Sequence, residues 1–270
     1  MTADGSGLLR DQVIFLTGGS AGIGLECARA YAEQQARVVV VARSSDAVNE
    51  AVAQLPGEDH LGIPCDVSDD AQVRAAIQTT LEHYGRLTAV HNNAGTAAPS
   101  KPLHETSDAE WDALFDINLR SVLLTTRHAF AALRDSRGSI LNTSSLVGVI
   151  GQELHAGYTA TKGAMNTLTK SMALDYAPLG IRVNAVLPAG VWTPMLRRWC
   201  AEQPDPGSIE QYLNDIHPLG YCPDSDAIAD ACVYLLSPMA RFVTGHLLHV
   251  SGGAELGYRR ITRSAPPELA

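Results

Sequence analysis

The sequence predicts a doubly wound α/β fold, a parallel sheet with helices on both faces, built as a single domain over residues 1–270. Three observations predict it. Short β-branched runs alternate with helical patterns along the chain. The length of 270 residues suits one domain of the larger α/β kind. The second run, Arg37 to Arg43, holds four consecutive valines, as a strand buried on both faces requires.

Val13-Ile14-Phe15-Leu16-Thr17 is the first strand and ends at Gly18-Gly19. Ile23 to Gln34 then places Ile23, Ala28 and Tyr31 at helical spacing. Arg37 to Arg43 is the second strand, and Leu61-Gly62-Ile63-Pro64 a weaker third. Asp69 to Tyr84 reads as a helix, with Ser68 or Asp69 as its N-cap and Gly85 as its stop. Leu87 to His91 is the fourth strand. A long helix follows around Ala113 to Leu133, and Gly138 marks its end. Ser139 to Thr143 is the fifth strand, Gly157 to Tyr176 a long helix, and Arg182 to Leu187 the sixth strand. Asp224 to Leu236 is the last helix and His246 to Val250 the last strand. Residues 189–223 show no clear period and include Pro194, Pro204, Pro206 and Pro218. A stretch of that length inside a domain reads as a lid or substrate loop. Residues 258–270, basic and then proline-rich, are expected to form a flexible tail.

Composition narrows the function. With 46% hydrophobic and 18% charged residues the chain can bury a sizeable core, which excludes disorder throughout. A net charge of -9 argues against nucleic acid or an anionic membrane as a partner, but leaves room for one phosphate site. No apolar run approaches the roughly 18 residues of a membrane span. Met1 to Asp11 lacks a basic region followed by an apolar stretch, so no secretory signal is expected. The cysteines Cys27, Cys65, Cys200, Cys222 and Cys232 are odd in number and form no CxxC pair, so neither a disulfide framework nor a zinc site is expected. His246 and His249 lie in a predicted strand that sends them to opposite faces, so no metal is expected there either. The expectation is a soluble, acidic, cytoplasmic globular protein.

Thr17-Gly18-Gly19-Ser20-Ala21-Gly22-Ile23-Gly24 joins the first strand to the first helix. Glycines let backbone approach an anion closely, and a helix N-terminus offers N–H groups and a positive dipole end. The alternative is a glycine-rich turn without a ligand; its position in a βαβ unit favours binding. This TGxxxGIG spacing resembles the short-chain dehydrogenase/reductase family. Three further segments carry the same resemblance: Asn92-Asn93-Ala94-Gly95, the YxxxK spacing of Tyr158 and Lys162, and Ser145 thirteen residues before Tyr158. The resemblance runs from about Leu9 to Gly257 and implies a Rossmann-like fold with a nicotinamide cofactor and a small-molecule substrate.

Tyr158 and Lys162 are four apart in a predicted helix and share a face. A free tyrosine has a pKa near 10, whereas an ammonium and an oxidised nicotinamide both favour the phenolate. Tyr158 can then exchange the proton of a substrate hydroxyl. The resemblance implies that Ser145 holds the reacting oxygen, with Ser144 as the neighbouring alternative. It implies that Asn118 supports a water-linked proton path through Lys162. It also assigns Gly18, Ser20, Gly22, Ile23 and Gly24 to the cofactor, with Asn93, Ala94 and Gly95 beside them. Asp66 and Val67 would meet the adenine. Val191 and Thr193 would meet the nicotinamide end, where Ala189 replaces the family's usual glycine.

The end of the second strand bears on the choice of cofactor. Ala42 stands where NAD-preferring relatives carry aspartate, and Arg43 followed by Ser44 can receive a 2′-phosphate. NADP is expected, and NAD stays open as a second cofactor. For the substrate, the segments 144–148, 150–152, 191–194, 204–206 and 252–258 resemble the 17β-hydroxysteroid and L-fucose dehydrogenase branch. Ala42-Arg43 departs from that branch's acidic NAD signature. A sugar hydroxyl oxidised at the anomeric carbon leads. A steroid or other apolar ketone is the runner-up, and a non-catalytic cofactor-binding regulator is the reading of another class. Gln152, His155, Trp192 and Trp199 are the candidate substrate contacts; Met195, Trp192, Trp199 and Tyr212 either pack the loop down or wall a pocket. The resemblance further implies a homotetramer or homodimer joined through the helices around Ala113 and Gly157.

Overall fold

The computed structural model describes residues 7–257, so the expected tail at 258–270 lies outside the described residues. Seven parallel strands form one sheet in the order β3-β2-β1-β4-β5-β6-β7. They are β1 (Val13–Thr17), β2 (Arg37–Ala42), β3 (Leu61–Pro64), β4 (Ala89–Asn92), β5 (Ser139–Thr143), β6 (Arg182–Pro188) and β7 (Leu247–Val250). The helices are α1 (Gly22–Glu33), α2 (Ser45–Val52), α3 (Asp70–Tyr84), α4 (Asp108–Phe115), α5 (Ser121–Ser136), α6 (Ala156–Tyr176), α7 (Pro194–Ala201), α8 (Pro206–Asp215) and α9 (Asp226–Leu236). Among the described residues no helix is long and apolar enough to cross a membrane.

Alternation along the strands builds two cores. Ile14 and Leu16 of β1 join α1 and α9 on one face, and Val13 and Phe15 join α3, α5 and α6 on the other. The valines of β2 divide in the same way and are wholly buried. Burying such a side chain contributes roughly 1.5–3 kcal/mol. Asp69 caps α3 through the N–H groups of Ala71 and Gln72, and Gly85 ends it at φ 70°. Asp69 therefore takes the cap for which Ser68 was the other candidate.

The structure departs from the sequence expectation in three places. Ser45–Val52 forms the short helix α2, which the hydrophobic pattern does not announce. The long helix expected around 113–133 is α4 and α5 joined by a π-helical turn, Asp116–Arg120. The aperiodic stretch 189–223 contains α7 and α8, both starting with proline at the first helical position.

The strand order reverses between β1 and β4. Loops leaving the carboxyl ends of these two strands diverge to opposite sides, which opens a crevice there. The candidate site residues gather at that edge.

Candidate active site

The glycine turn is shaped by close approach. Gly18 adopts φ +65°, and a Cβ on it would lie 2.9 Å from the Ala94 Cα. A Cβ on Gly24 would lie 2.0 Å from the Gly18 carbonyl oxygen. The buried Thr17 hydroxyl accepts N–H bonds from Asn93 (3.0 Å) and Ala94 (3.1 Å). The Asn93 amide donates to the carbonyls of Thr17 and Gly18, each at 3.2 Å. Residues 93–95 are thereby held against the glycine turn. Gly22 turns at φ +54° into α1, and no side chain caps that helix at Ala21. An uncapped N-terminus with Ser20, Gly22 and Ile23 around it fits an anionic group such as a pyrophosphate.

At the far end of the crevice Arg43 is exposed directly after β2 and, among the described residues, has no ion pair. Ser44 caps α2, its hydroxyl accepting from the Ala47 N–H at 3.3 Å. Asp66 accepts from the Ser68 N–H (2.9 Å) and hydroxyl (2.7 Å), and Val67 is buried beside it.

The four residues expected to be catalytic converge below the glycine turn. Lys162 is only 4% exposed, and its Nζ donates to the Thr143 carbonyl at 2.7 Å. That Nζ lies 5.7 Å from the Tyr158 ring centroid. Burial pushes the Lys162 ammonium down to about 8. Burial also holds the Tyr158 phenol above its ordinary value, while the Ser145 hydroxyl works in the other direction. Burial outweighs the Ser145 contact, so the net shift of the phenol is upward. Ser144 is committed elsewhere, donating to Asn166 Oδ1 at 2.6 Å and lying 3.2 Å from the Lys162 carbonyl. Of the two serines, Ser145 is the one that meets the phenol.

Asn118 is wholly buried on the π-helical turn. Its Oδ1 accepts from the Thr96 N–H (2.8 Å), and its Nδ2 donates to the Thr96 carbonyl (2.9 Å) and the Thr161 hydroxyl (3.1 Å). A Cβ on Gly95 would sit 3.2 Å from Asn118 Oδ1 and 3.7 Å from Lys162 Nζ. The glycine thus lets Asn118 and Lys162 share one hollow.

The substrate side is looser. The His155 ring packs edge-on against Tyr158 with centroids 6.5 Å apart, and Gln152 is exposed just before it. Val191 is buried; the Thr193 hydroxyl caps α7 by accepting from the Leu196 N–H at 3.1 Å. Thr193 also reaches the glycine turn, since a Cβ on Gly22 would meet its Cγ2 at 3.2 Å. Trp192 is covered by the Arg197 guanidinium, 4.9 Å from the ring centroid, and Trp199 stands 41% exposed on α7. Sequence reading missed the supports Thr17, Thr96, Thr143 and Thr161. The available signal was a threonine at the last position of both β1 and β5, where each strand meets the crevice.

Residues 18–255 match the family model described as Enoyl-(Acyl carrier protein) reductase. L-fucose dehydrogenase from Bos taurus is 39% identical over 258 residues, covering 95% of this chain and 94% of that protein. The crystal structure of levodione reductase superimposes with a TM-score of 0.88 at 31% identity, over 93% of this chain and 100% of that one. The 3-ketoacyl-(acyl-carrier-protein) reductase from Brucella melitensis, solved in complex with NADH, gives 0.84 at 29% identity, over 92% and 99%. The chain belongs to the short-chain dehydrogenase/reductase family. It is an oxidoreductase that uses a nicotinamide cofactor to interconvert a hydroxyl and a carbonyl.

Proposed function

We propose that the chain oxidises a sugar hydroxyl of the L-fucose type at its anomeric carbon, with NADP as the preferred cofactor. The observation that carries the reaction is the buried Lys162 ammonium 5.7 Å from the Tyr158 ring, with Ser145 at the same phenol. In this reading Tyr158 takes the substrate's hydroxyl proton as general base. Lys162 favours the phenolate by its charge, and Ser145 orients the reacting oxygen. Asn118, through Thr96 and Thr161, keeps the hollow beside Lys162 open for a proton path. Bound in the crevice, the oxidised cofactor supplies a hydride acceptor and a positive ring. Gly18, Ser20, Gly22, Ile23 and Gly24 would hold its pyrophosphate, with Asn93, Ala94 and Gly95 alongside. Asp66 and Val67 would take the adenine, Arg43 and Ser44 a 2′-phosphate, and Val191 and Thr193 the nicotinamide end.

The sugar assignment draws on the 39% identity to an L-fucose dehydrogenase and on Gln152 and His155 as polar contacts near Tyr158. The runner-up, an apolar ketone, draws on the exposed Met195, Trp199 and Tyr212 and on the likeness to a levodione reductase. We take the working form to be a cytoplasmic homotetramer or homodimer; the exposed Leu123 on α5 and Leu174 on α6 support that assembly. The test follows the absorbance of reduced nicotinamide over a panel of sugars, steroids and apolar ketones, with NADP and with NAD. Turnover of sugars, faster with NADP, is the expected result. Turnover confined to apolar ketones, or to NAD, overturns the corresponding part.

A further inference from the structure

Behind the catalytic lysine lies a second polar chain on the opposite face of the sheet. His91, the residue before the last of β4, is wholly buried. Its Nδ1 lies 2.9 Å from the Tyr31 hydroxyl on α1, and its Nε2 lies 2.8 Å from the Thr143 hydroxyl on β5. Thr143 is the residue whose carbonyl accepts Lys162 Nζ. One residue therefore ties the imidazole to the lysine, with its side chain on one and its backbone on the other.

The sheet explains why that carbonyl is available. Pairing of β4 with β5 stops at Asn92 and Asn142. Beyond it, Asn93 and Ala94 turn away and give their N–H groups to the Thr17 hydroxyl. Ser144 gives its N–H to the Val186 carbonyl on the other side. The Thr143 carbonyl thus projects past the end of β4, where no strand fixes it, and Lys162 takes it. A peptide at a ladder's end needs another restraint if its carbonyl is to hold a direction.

The imidazole provides a directional one. Burial holds His91 down to about 3, so the ring stays neutral at any working pH. A neutral imidazole donates from one nitrogen and accepts at the other, so one of the two hydroxyls donates and the other accepts. The titratable groups around it are Tyr31 and Cys27 from α1 and Cys232 from α9, all buried. Both thiol sulfurs come within 4.8 Å of a His91 nitrogen, an arrangement that could suggest a metal. Both ring nitrogens already have hydroxyl partners, so we assign the group to the relay.

We infer that His91 is a positioning residue for the reaction, fixing Thr143 so that its carbonyl aims Lys162 at Tyr158. The inference rests on the role proposed above for Tyr158 and Lys162. Among the described residues, Tyr158 is the titratable group that Lys162 faces, so a misdirected ammonium should raise the pH at which the phenolate forms.

The test uses Thr143→Val and His91→Val, with Thr143→Ser and His91→Gln as conservative partners and Lys162→Met in the same series. Thr143→Val keeps the carbonyl and the bulk but removes the hydroxyl, so it carries the test even where His91→Val does not fold. Folding is checked by circular dichroism and thermal melting. The expected result is a roughly tenfold fall in kcat at neutral pH for the valine variants. Their acid limb of kcat should move up by about half a pH unit or more, and Thr143→Ser should restore the parent profile. Folded Thr143→Val with the parent's kcat and pH profile overturns the positioning role while Lys162→Met remains inactive. An active Lys162→Met overturns the catalytic reading itself, and the inference with it.

Discussion

The two walls of the crevice are built on different terms. Beneath Tyr158, Asn118 and Lys162 are buried, and each donates to named acceptors at 2.7–3.1 Å. Across from it, the wall formed by 192–223 stands open. Met195, Trp199 and Tyr212 are largely exposed, and α7 is tied down near Trp192 by a solvent-facing ion pair. On the function proposed above, the first wall would fix where a proton goes, which requires positions held to fractions of an ångström. The second would fix what is admitted, and a surface that moves and varies can serve that purpose. On that reading, reaction class resides in the buried wall and substrate choice in the open one. Substitutions in the buried wall should act on kcat and stability, and those in the open wall on KM and selectivity.

The largest effect is expected at Tyr158. Tyr158→Phe keeps the ring against His155 and over Lys162 and removes only the hydroxyl. Turnover should fall by about a hundred- to ten-thousandfold, with cofactor affinity measured by fluorescence titration unchanged. Activity within a few-fold of the parent would break the division of labour at its root. Lys162 tests the same wall through stability. Its folded pKa, about 8, is below the ordinary 10.5, so between those pH values the unfolded chain binds the additional proton. Stability of the parent should accordingly rise with pH across that window, by on the order of 3 kcal/mol relative to Lys162→Met. Below pH 8 the burial penalty on the charged amine is fully present. Urea midpoints at pH 7.5 and 10 measure the change; equal shifts in parent and variant would mean the amine is not depressed.

The same contrast governs what sequence alone reveals. The strands were legible because β-branched runs such as Val38 to Val41 have few other uses, and the glycine turn because Gly18 and Gly24 leave no room for a Cβ. The glycine turn, Asn92-Asn93-Ala94-Gly95, the Tyr158 and Lys162 pair and Ser145 thirteen residues before Tyr158 carried the family. The open wall shows no clear period in sequence, yet Pro194 and Pro206 each start a helix there behind a capping Thr193 or Asp205. Proline is well suited to that first position because its missing N–H would have no partner there. Helix α2 escaped because only Val48 and Ala51 of its eight residues are buried, too few to show a period. The π-helical turn and the link from His91 to Thr143 join residues through contacts that no local pattern encodes.

At the adenosine end and around the substrate, away from Tyr158 and Lys162, the effects should be smaller and selective. Arg43→Ala should weaken NADP binding by roughly ten- to a hundredfold and leave NAD binding nearly unchanged, since a charge-assisted phosphate contact contributes about 1.5–3 kcal/mol. Titrating both cofactors checks this, and equal losses would reduce Arg43 to a surface residue. Gln152→Leu should lower kcat/KM for a sugar about tenfold and spare an apolar ketone, because an unpaired sugar hydroxyl is costly. A loss on ketones with none on sugars would promote the apolar substrate.

The smallest effect, and the sharpest test of the contrast, belongs to Arg197. Its guanidinium bonds Asp224 at 2.9 Å and lies 4.9 Å from the centre of the Trp192 ring. Both charged partners are more than half exposed, so the pair is of the kind that contributes about 0.2–1 kcal/mol. Stacking on the indole adds about 0.5–1 kcal/mol at an exposed site. Together these steady α7 over Trp192 without reaching Tyr158 or Lys162. Arg197→Ala should therefore raise KM two- to fivefold at constant kcat. Because exposed ion pairs are screened by salt, the gap between parent and variant should narrow as ionic strength rises. Initial rates at low and high salt measure both features. A tenfold fall in kcat, insensitive to salt, would show that the open wall takes part in proton transfer, and the separation of the two walls would then fail.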